Sequence, residues 1–544
     1  MNSGAWRWHV SAAVLYAAAA LLFIDRGLPF DRGILGLGPD PQQFIWFLAW
    51  WPFAISHHLN PFFSAYDWQP AGVNLCWMTS VPLLALLAMP VTWAGGPMLA
   101  YNILIIAAPA LAALGAYALC LYITRQPPAA ILGGYLFGFS AYEMAQSLSH
   151  LNLSFTVFVP LLLLVGLARL DGVLPRRRAV LWVVVLLAAQ FGVSVEIFAT
   201  EVFFGGIAWS LAWACYPARR MVLNRLAIDS LYATPVLVVV LAPVLWIMFG
   251  WPHHFAVPSG WVEGFSTDLL NLVVPTITTK LGGLLMVPLT RHFTGFALEQ
   301  DAYLGVLLLG IVIAFCARHN RFFGLLFGVI LLLSLGPFFR AGGVASGVPL
   351  PWQMAERLPL LRAALPARFM IYESLLAAVI AALWVAECPA GKQRSRRMQL
   401  TALACLLLLP SLYPDQGDPR LKFFVPGRVQ EVLGARPKLL ILPFGMAGNS
   451  SFWQAQSQFA FTQTGGYLGA PDVSLQTDVP MLTLYEGDDV PDLAPDLAAY
   501  CRHTGTDFVV ATSHTSPVIM AAVKSLGWPA RRVDDVTVFT VPHE

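Results

Sequence analysis

Charge is scarce in this chain. Only 11% of its 544 residues are Asp, Glu, Lys or Arg, while 58% are hydrophobic. A soluble globular domain carries roughly a quarter charged residues and about half apolar ones, so composition excludes that class. The few charges nearly cancel, 32 basic against 30 acidic, and no basic stripe suited to nucleic acid is present. The seven cysteines, at 76, 120, 215, 316, 388, 405 and 501, show no CxxC or ladder spacing. Most lie in apolar segments, where they read as small buried hydrophobes and not as a disulfide framework or a metal set. Paired histidines at 253 and 254 lack a third ligand at zinc-site spacing. A Walker loop and a GxGxxG are both missing, which argues against a nucleotide site. Internal repeats of the kind that mark many transporters are missing too.

What the chain has is length of apolar run. Such runs recur through the first 413 positions, many long enough to cross a hydrocarbon core. Lys and Arg gather in short connectors: Arg125; Arg169 with Arg176, Arg177 and Arg178; Arg219, Arg220 and Arg225; Arg318 and Arg321; Lys392, Arg394, Arg396 and Arg397. The positive-inside rule assigns these to the cytoplasm. Eleven spans then alternate consistently, near 10–24, 99–123, 128–143, 152–168, 179–196, 197–215, 231–250, 303–317, 322–337, 367–386 and 399–413. The stretch 10–24 ends at Asp25-Arg26 without a small-residue cleavage site, so it counts as the first span and not as a signal peptide. Long loops at 25–98, 251–302 and 338–366 fall outside. The short segments 42–57 and 80–93 read as interfacial helices that do not cross. The fold class expected is therefore an all-α polytopic membrane protein of about 11 transmembrane helices over residues 1–413.

Beyond 413 the pattern changes. "KLLILPFG" (438–445), "DFVVATS" (507–513) and "VTVFTV" (536–541) read as strands between turns and helical stretches such as 516–526. Residues 414–544 are thus expected to form a small C-terminal α/β soluble domain on the periplasmic side. Within it, "SFWQAQSQFAFTQTGGYLG" (451–469) carries Trp453, Gln454, Gln456 and Tyr467. These suit either glycan stacking or packing against the membrane part.

The polar residues of the spanning region collect on one face. "GLGPDPQQFIWFLAWWPF" (36–53) sets Asp40, Gln42 and Gln43 at the mouth of a Trp-rich helix, and Asp67 and Asn74 follow in the same loop. "YEMAQSLSHLN" (142–152) brings Glu143, Gln146, His150 and Asn152; Glu196 and Glu201 sit near an outward span end. Lys280, Arg291, Arg357, Arg362 and Arg368 come later. Carboxylates early and arginines late suit sugar transfer from a lipid phosphate. An acceptor hydroxyl must shed its proton as it attacks the anomeric carbon, and a fixed carboxylate can take it, a role worth roughly 10²–10⁴-fold. Arginine forks match the leaving phosphate. Trp46, Trp50 and Trp51 are expected to pack lipid or sugar and anchor their helix at the interface.

The order of span, long outer loop with an acid and two interfacial helices, further spans and an outer soluble tail resembles the GT-C superfamily of membrane glycosyltransferases. The first loop is similar in layout to that of aminoarabinose and protein O-mannosyl transferases, with "VPLLALLAMPVTWAGGP" (81–97) where those carry a "PPLLYWL"-like helix. "GPDPQQFIW", "NPFFSAYDWQPAGVNL" and "HLNL" also resemble motifs of large bacterial membrane proteins. The resemblance implies a GT-C-like fold and Asp40 as the catalytic base. It puts Glu143 and His150 where relatives hold a second functional acid. The chain departs in lacking an acidic doublet beside Asp40 and a WWD-type motif.

The reading that follows is an inverting hexosyl or pentosyl transferase, multi-pass in the bacterial inner (plasma) membrane. It would move a sugar from a polyprenyl-phosphate-linked donor to an envelope glycan or lipid acceptor. Arg357, Arg362 and Arg368 are expected at the donor phosphate, with Gln43, Asp67, Glu143, His150, Asn152 and Glu196 positioning acceptor or donor. A divalent cation, Mg or Mn, is compatible with this chemistry and not required by it. Plainer readings stand beside each residue: Asp40 and Asn152 as helix caps, Asp67 in a turn, and the arginines as headgroup anchors. The rival functions are a transporter or lipid-handling protein, favoured by the intramembrane Glu196, and a non-catalytic envelope-assembly scaffold.

Overall fold

The computed structural model describes residues 5–24, 30–252, 260–319, 321–358, 361–412 and 416–542. Asp25-Arg26 and the paired histidines 253 and 254 lie outside the described residues. The chain forms two compact units. One comprises Met1–Gly27, Ile105–Val240 and Val257–Pro414; the other comprises Leu28–Leu104, Leu241–Ala256 and Asp415–Glu544.

The first unit is mostly helical, with one two-stranded antiparallel sheet, Phe338–Ala341 with Val344–Pro349, where the sequence reading expected helices alone. Six helices of the described chain are long and apolar enough to cross a membrane: Trp6–Ile24, Pro97–Thr124, Leu151–Leu170, Val195–Cys215, Pro217–Gly250 and Pro366–Ala386. This is the fold of a multi-pass membrane protein. The other five expected spans fall on shorter helices, Pro127–Gly138, Arg176–Phe191, Gly305–Cys316, Arg321–Ser334 and Lys392–Leu407. The run expected at 152–168 is broken near its start, into Leu151–Ser154 and Phe158–Leu170.

Met370–Ala386 is the core helix of this unit, buried on nearly every side. It packs on Pro127–Gly138 through small residues: a Cβ on Gly133 would lie 3.2 Å from Ala382 Cβ and 3.3 Å from Ala378 O. Small residues let two backbones approach where lipid supplies no hydrophobic drive. Two arginines of one basic connector meet one buried acid. Arg169 and Arg176 place Nε 2.6 and 2.8 Å from the two carboxylate oxygens of Asp229.

The second unit is mixed. A five-stranded sheet has the spatial order Thr462–Gln463, Lys438–Leu442, Phe508–Thr512, Val536–Thr540, Ala530–Val533. Lys438–Leu442 pairs in parallel with both neighbours, with Leu440 opposite Val509; the last two pairings are antiparallel. Leu439, Leu440, Ile441 and Leu442 are all fully buried, as a strand covered on both faces requires. The helix Pro517–Ser525 is capped by Ser516, whose Oγ accepts from Ile519 N–H at 3.2 Å.

The helix Asp40–Ser56 belongs to this unit, and here the structure corrects the sequence reading. Trp46, Trp50 and Trp51 are 0%, 1% and 4% exposed, so they are core residues and not lipid anchors. Trp46 and Trp50 stack at 5.3 Å between ring centroids, and both meet Phe459 edge-on. Trp46 Nε1 donates to Gln454 Oε1 at 2.6 Å, and Gln454 Nε2 donates to the carbonyls of Tyr66 and Phe461. A helix apolar all round is a buried helix; this one is covered by nearby chain, with Trp51 edge-on to Phe62 and Trp50 Nε1 donating to Pro61 O, and by residues some 400 positions downstream. Trp453 is likewise inside, stacked on Phe424 at 5.2 Å, so the 451–469 stretch packs and does not present a glycan platform there. The helix Pro82–Gly95, by contrast, leaves Leu86, Leu87 and Trp93 exposed.

Candidate active site

Asp40 opens its helix, with Pro39 at the cap position and Pro41 immediately after. Proline suits these positions because the first N–H groups of a helix have no internal partner, and an acid in the first turn faces the positive helix end. The carboxylate is half-buried, and its Oδ1 accepts a hydrogen bond from the Tyr467 hydroxyl. Gln42 donates to Gly448 O at 2.5 Å, and Gln43, 3% exposed, accepts from Thr79 Oγ1 at 3.5 Å.

The loop carrying Tyr467 is tied down by Asp67. This carboxylate is wholly buried; Oδ1 accepts from Trp68 N–H at 2.7 Å and Gly466 N–H at 2.9 Å, and Oδ2 accepts from Gln463 Nε2 at 3.0 Å. Burial pushes Asp67 up to about 7, against the lowering effect of those three donors. Asp67 thus holds the 463–466 backbone and is not aimed at solvent. Glycine is required here by contact: a Cβ on Gly466 would lie 2.2 Å from Gln463 Nε2, and one on Gly469, at φ +98°, would lie 2.8 Å from Gln43 Oε1.

The membrane unit gathers a second set. Arg368 directs Nη1 to Glu196 Oε2 and Nη2 to Glu299 Oε1, each at 2.6 Å, while Nε also reaches Glu299. Glu196 Oε1 accepts from Leu365 N–H at 3.0 Å. His150 Nδ1 lies 2.6 Å from Gln146 Oε1, and its Nε2 is 3.9 Å from Glu299. Gln146 Nε2 donates to Asp301 Oδ2 at 2.9 Å. Burial alone would raise Glu299, but Arg368, His150 and the hydrogen bonds hold it below the usual carboxylate value. Asp301 is raised well above its usual value by burial and then by the charge of Glu299.

Glu143, fully buried, accepts from Thr156 Oγ1 at 3.0 Å. Asn152 is buried inside the short helix Leu151–Ser154, at whose cap position stands His150, so Asn152 does not cap it. Arg357 and Arg362 are exposed.

Of the residues singled out from sequence, the structure brings Asp40, Gln43 and Asp67 into one unit, and Glu143, His150, Asn152, Glu196 and Arg368 into the other. Arg368 has its forked donors committed to two carboxylates. Sequence reasoning missed Tyr467 as the partner of Asp40, and missed Glu299 and Asp301 altogether. "LEQDAY" (298–303) held a signal for the last two, since acids directly before an apolar span are costly unless paired. Among the described residues no three His, Cys, Asp or Glu side chains come together to hold a metal ion.

No family model matches the chain, and no curated protein does. Solved structures do. Over 99% of this chain the fold is similar to that of arabinofuranosyltransferase AftD from Mycobacteria, with TM-score 0.57 and 14% identity, and it spans 40% of that protein. Over 92% it is similar to the Archaeoglobus fulgidus oligosaccharyltransferase solved with Zn and sulfate, with TM-score 0.54, 12% identity and 68% of that protein covered. These neighbours are an arabinofuranosyltransferase and an oligosaccharyltransferase. At such identities the likeness is one of fold.

Proposed function

We propose that this chain is an integral-membrane glycosyltransferase that moves a sugar from a polyprenyl-phosphate donor to an envelope glycan or lipid. The reaction takes place on the periplasmic face of a bacterial inner membrane. The observation that carries the reading is the fold likeness to an arabinofuranosyltransferase across nearly the whole chain. The eleven-span topology and a periplasmic 414–544 belong to the same proposal.

In the reaction, the acceptor oxygen forms a bond to the anomeric carbon as the bond from that carbon to the phosphate oxygen breaks. The electron pair leaves with the polyprenyl phosphate, the configuration inverts, and the acceptor proton passes to Asp40. Of the three arginines, Arg357 and Arg362 are the ones offered for the leaving phosphate, because Arg368 is bound up with Glu196 and Glu299. Gln43 and Asp67 act around Asp40, Asp67 by fixing the loop that touches it. Glu143, His150, Asn152 and Glu196 hold the shape of the membrane unit's polar cluster.

The test is mass spectrometry of envelope glycans and lipid-linked sugars in a deletion strain and in the same strain restored with the wild-type protein. Loss of one sugar from a glycan, with accumulation of its lipid-linked donor, is the expected result. One observation favours a second reading. Glu201 and Glu373 are buried in membrane helices, and neither carboxylate has a hydrogen-bond partner among the described residues. Unpaired acids at that depth mark ion or proton paths in transporters. If every sugar stays in place on deletion, the transporter or lipid-handling reading takes over.

A further inference from the structure

The tail loop 464–470 follows the strand Thr462–Gln463 and reaches the start of the helix Asp40–Ser56. Gly466 is pinned by Asp67, Gly469 closes on Gln43, and Ser451 Oγ donates to the Tyr467 carbonyl at 2.8 Å. Gly465 packs so closely that a Cβ there would lie 2.8 Å from the Phe444 ring. Backbone and side chain are thus fixed from four directions, and the result is one phenol hydroxyl set on one carboxylate oxygen. Tyr467 itself is 6% exposed, its ring beside that of Tyr485.

We propose that Tyr467 is a positioning residue for the base at Asp40, holding Oδ1 by a hydrogen bond so that the carboxylate keeps one orientation toward the acceptor hydroxyl. This rests on the reading of Asp40 as the base. The phenol keeps its proton throughout: burial, then the charge of Asp40 beside it, holds Tyr467 well above the ordinary tyrosine range. A donor to a carboxylate favours the ionised form, and the Tyr467 hydroxyl is such a donor to Asp40. The charge of Asp40 is also felt by the Tyr101 and Tyr485 hydroxyls.

Tyr467→Phe removes the hydroxyl and keeps the ring. The experiment uses the full-length protein in nanodiscs, labelled with a water-soluble carbodiimide and an amine, which modify a carboxyl in its protonated form. The extent at Asp40 is read by peptide mass spectrometry against pH. The labelling midpoint of Asp40 is expected to rise by about one pH unit in Tyr467→Phe, since a hydrogen bond to a charged group is worth roughly that much. Fluorotyrosine at 467, a stronger donor, is expected to move it down. In cells, Tyr467→Phe is expected to lower sugar transfer about tenfold at equal membrane abundance.

An unmoved midpoint in both variants, with Asp40→Asn inactive, overturns the positioning role and leaves the base in place. Faster transfer by Tyr467→Phe overturns it as well, since the tyrosine would then be blocking Asp40. Full transfer by Asp40→Asn brings down base and positioning residue together.

Discussion

Arg368 and Tyr467 show how much a single side chain depends on what faces it. Read alone, Arg368 is one of three late arginines suited to a phosphate. In the structure two carboxylates, Glu196 and Glu299, already occupy its fork. Removing one member of a buried ion pair leaves its partner uncompensated, which costs about 3–5 kcal/mol. Arg368→Ala is therefore expected to lower the thermal unfolding midpoint sharply, and Arg368→Lys to recover only part of it, because an ammonium cannot reproduce the planar fork. Arg357→Ala and Arg362→Ala, both at exposed positions, are expected to leave the midpoint unchanged and to reduce transfer. The reverse pattern in a thermal scan would return Arg368 to the donor phosphate and remove the other two.

At the level of elements, the loop 463–469 matters most, and Asp67 is the handle on it. Its carboxyl stands at about 7 in the folded protein against 3.8 for a free aspartate side chain. The folded state thus keeps a proton that the unfolded chain gives up between about pH 4 and 7. Stability from this group is fully present below about 4 and declines as pH rises to about 7, where it levels off. Asp67→Asn does not titrate, so the wild-type midpoint, measured relative to this variant by tryptophan fluorescence, is expected to fall by several degrees across that window. A flat difference would show that Asp67 is ionised throughout.

The strands of this element group were legible: the sequence runs at 438–445, 507–513 and 536–541 contain Lys438–Leu442, Phe508–Thr512 and Val536–Thr540. Their alternation and flanking turns are local properties. The helix Asp40–Ser56 was legible as a helix but not as a buried one. A short aromatic run looks the same whether lipid or protein covers it, and part of its cover comes from the distant Gln454 and Phe459.

For the whole molecule, hydropathy carried most of the reading. The long apolar helices fall where the apolar runs lie, because an uninterrupted run must satisfy its own backbone in lipid. Which polar side chains meet could not be read this way. Tyr467 stands 427 residues from Asp40, and Arg368 stands 172 from Glu196. Nothing in local composition encodes such pairings, so candidate residues were visible and their partners were not.

Sugar transfer with Asp40 as base is the proposal on which the other predictions rest. The most direct measurement compares the deletion strain restored with wild-type protein against one restored with Asp40→Asn at equal membrane abundance. Lipid-linked sugars and envelope glycans are quantified by mass spectrometry in both. The Asp40→Asn strain is expected to lack the same glycan sugar as the deletion and to accumulate the same lipid-linked donor. A wild-type profile from Asp40→Asn would contradict it, leaving Asp40 as no more than the first residue of a well-packed helix.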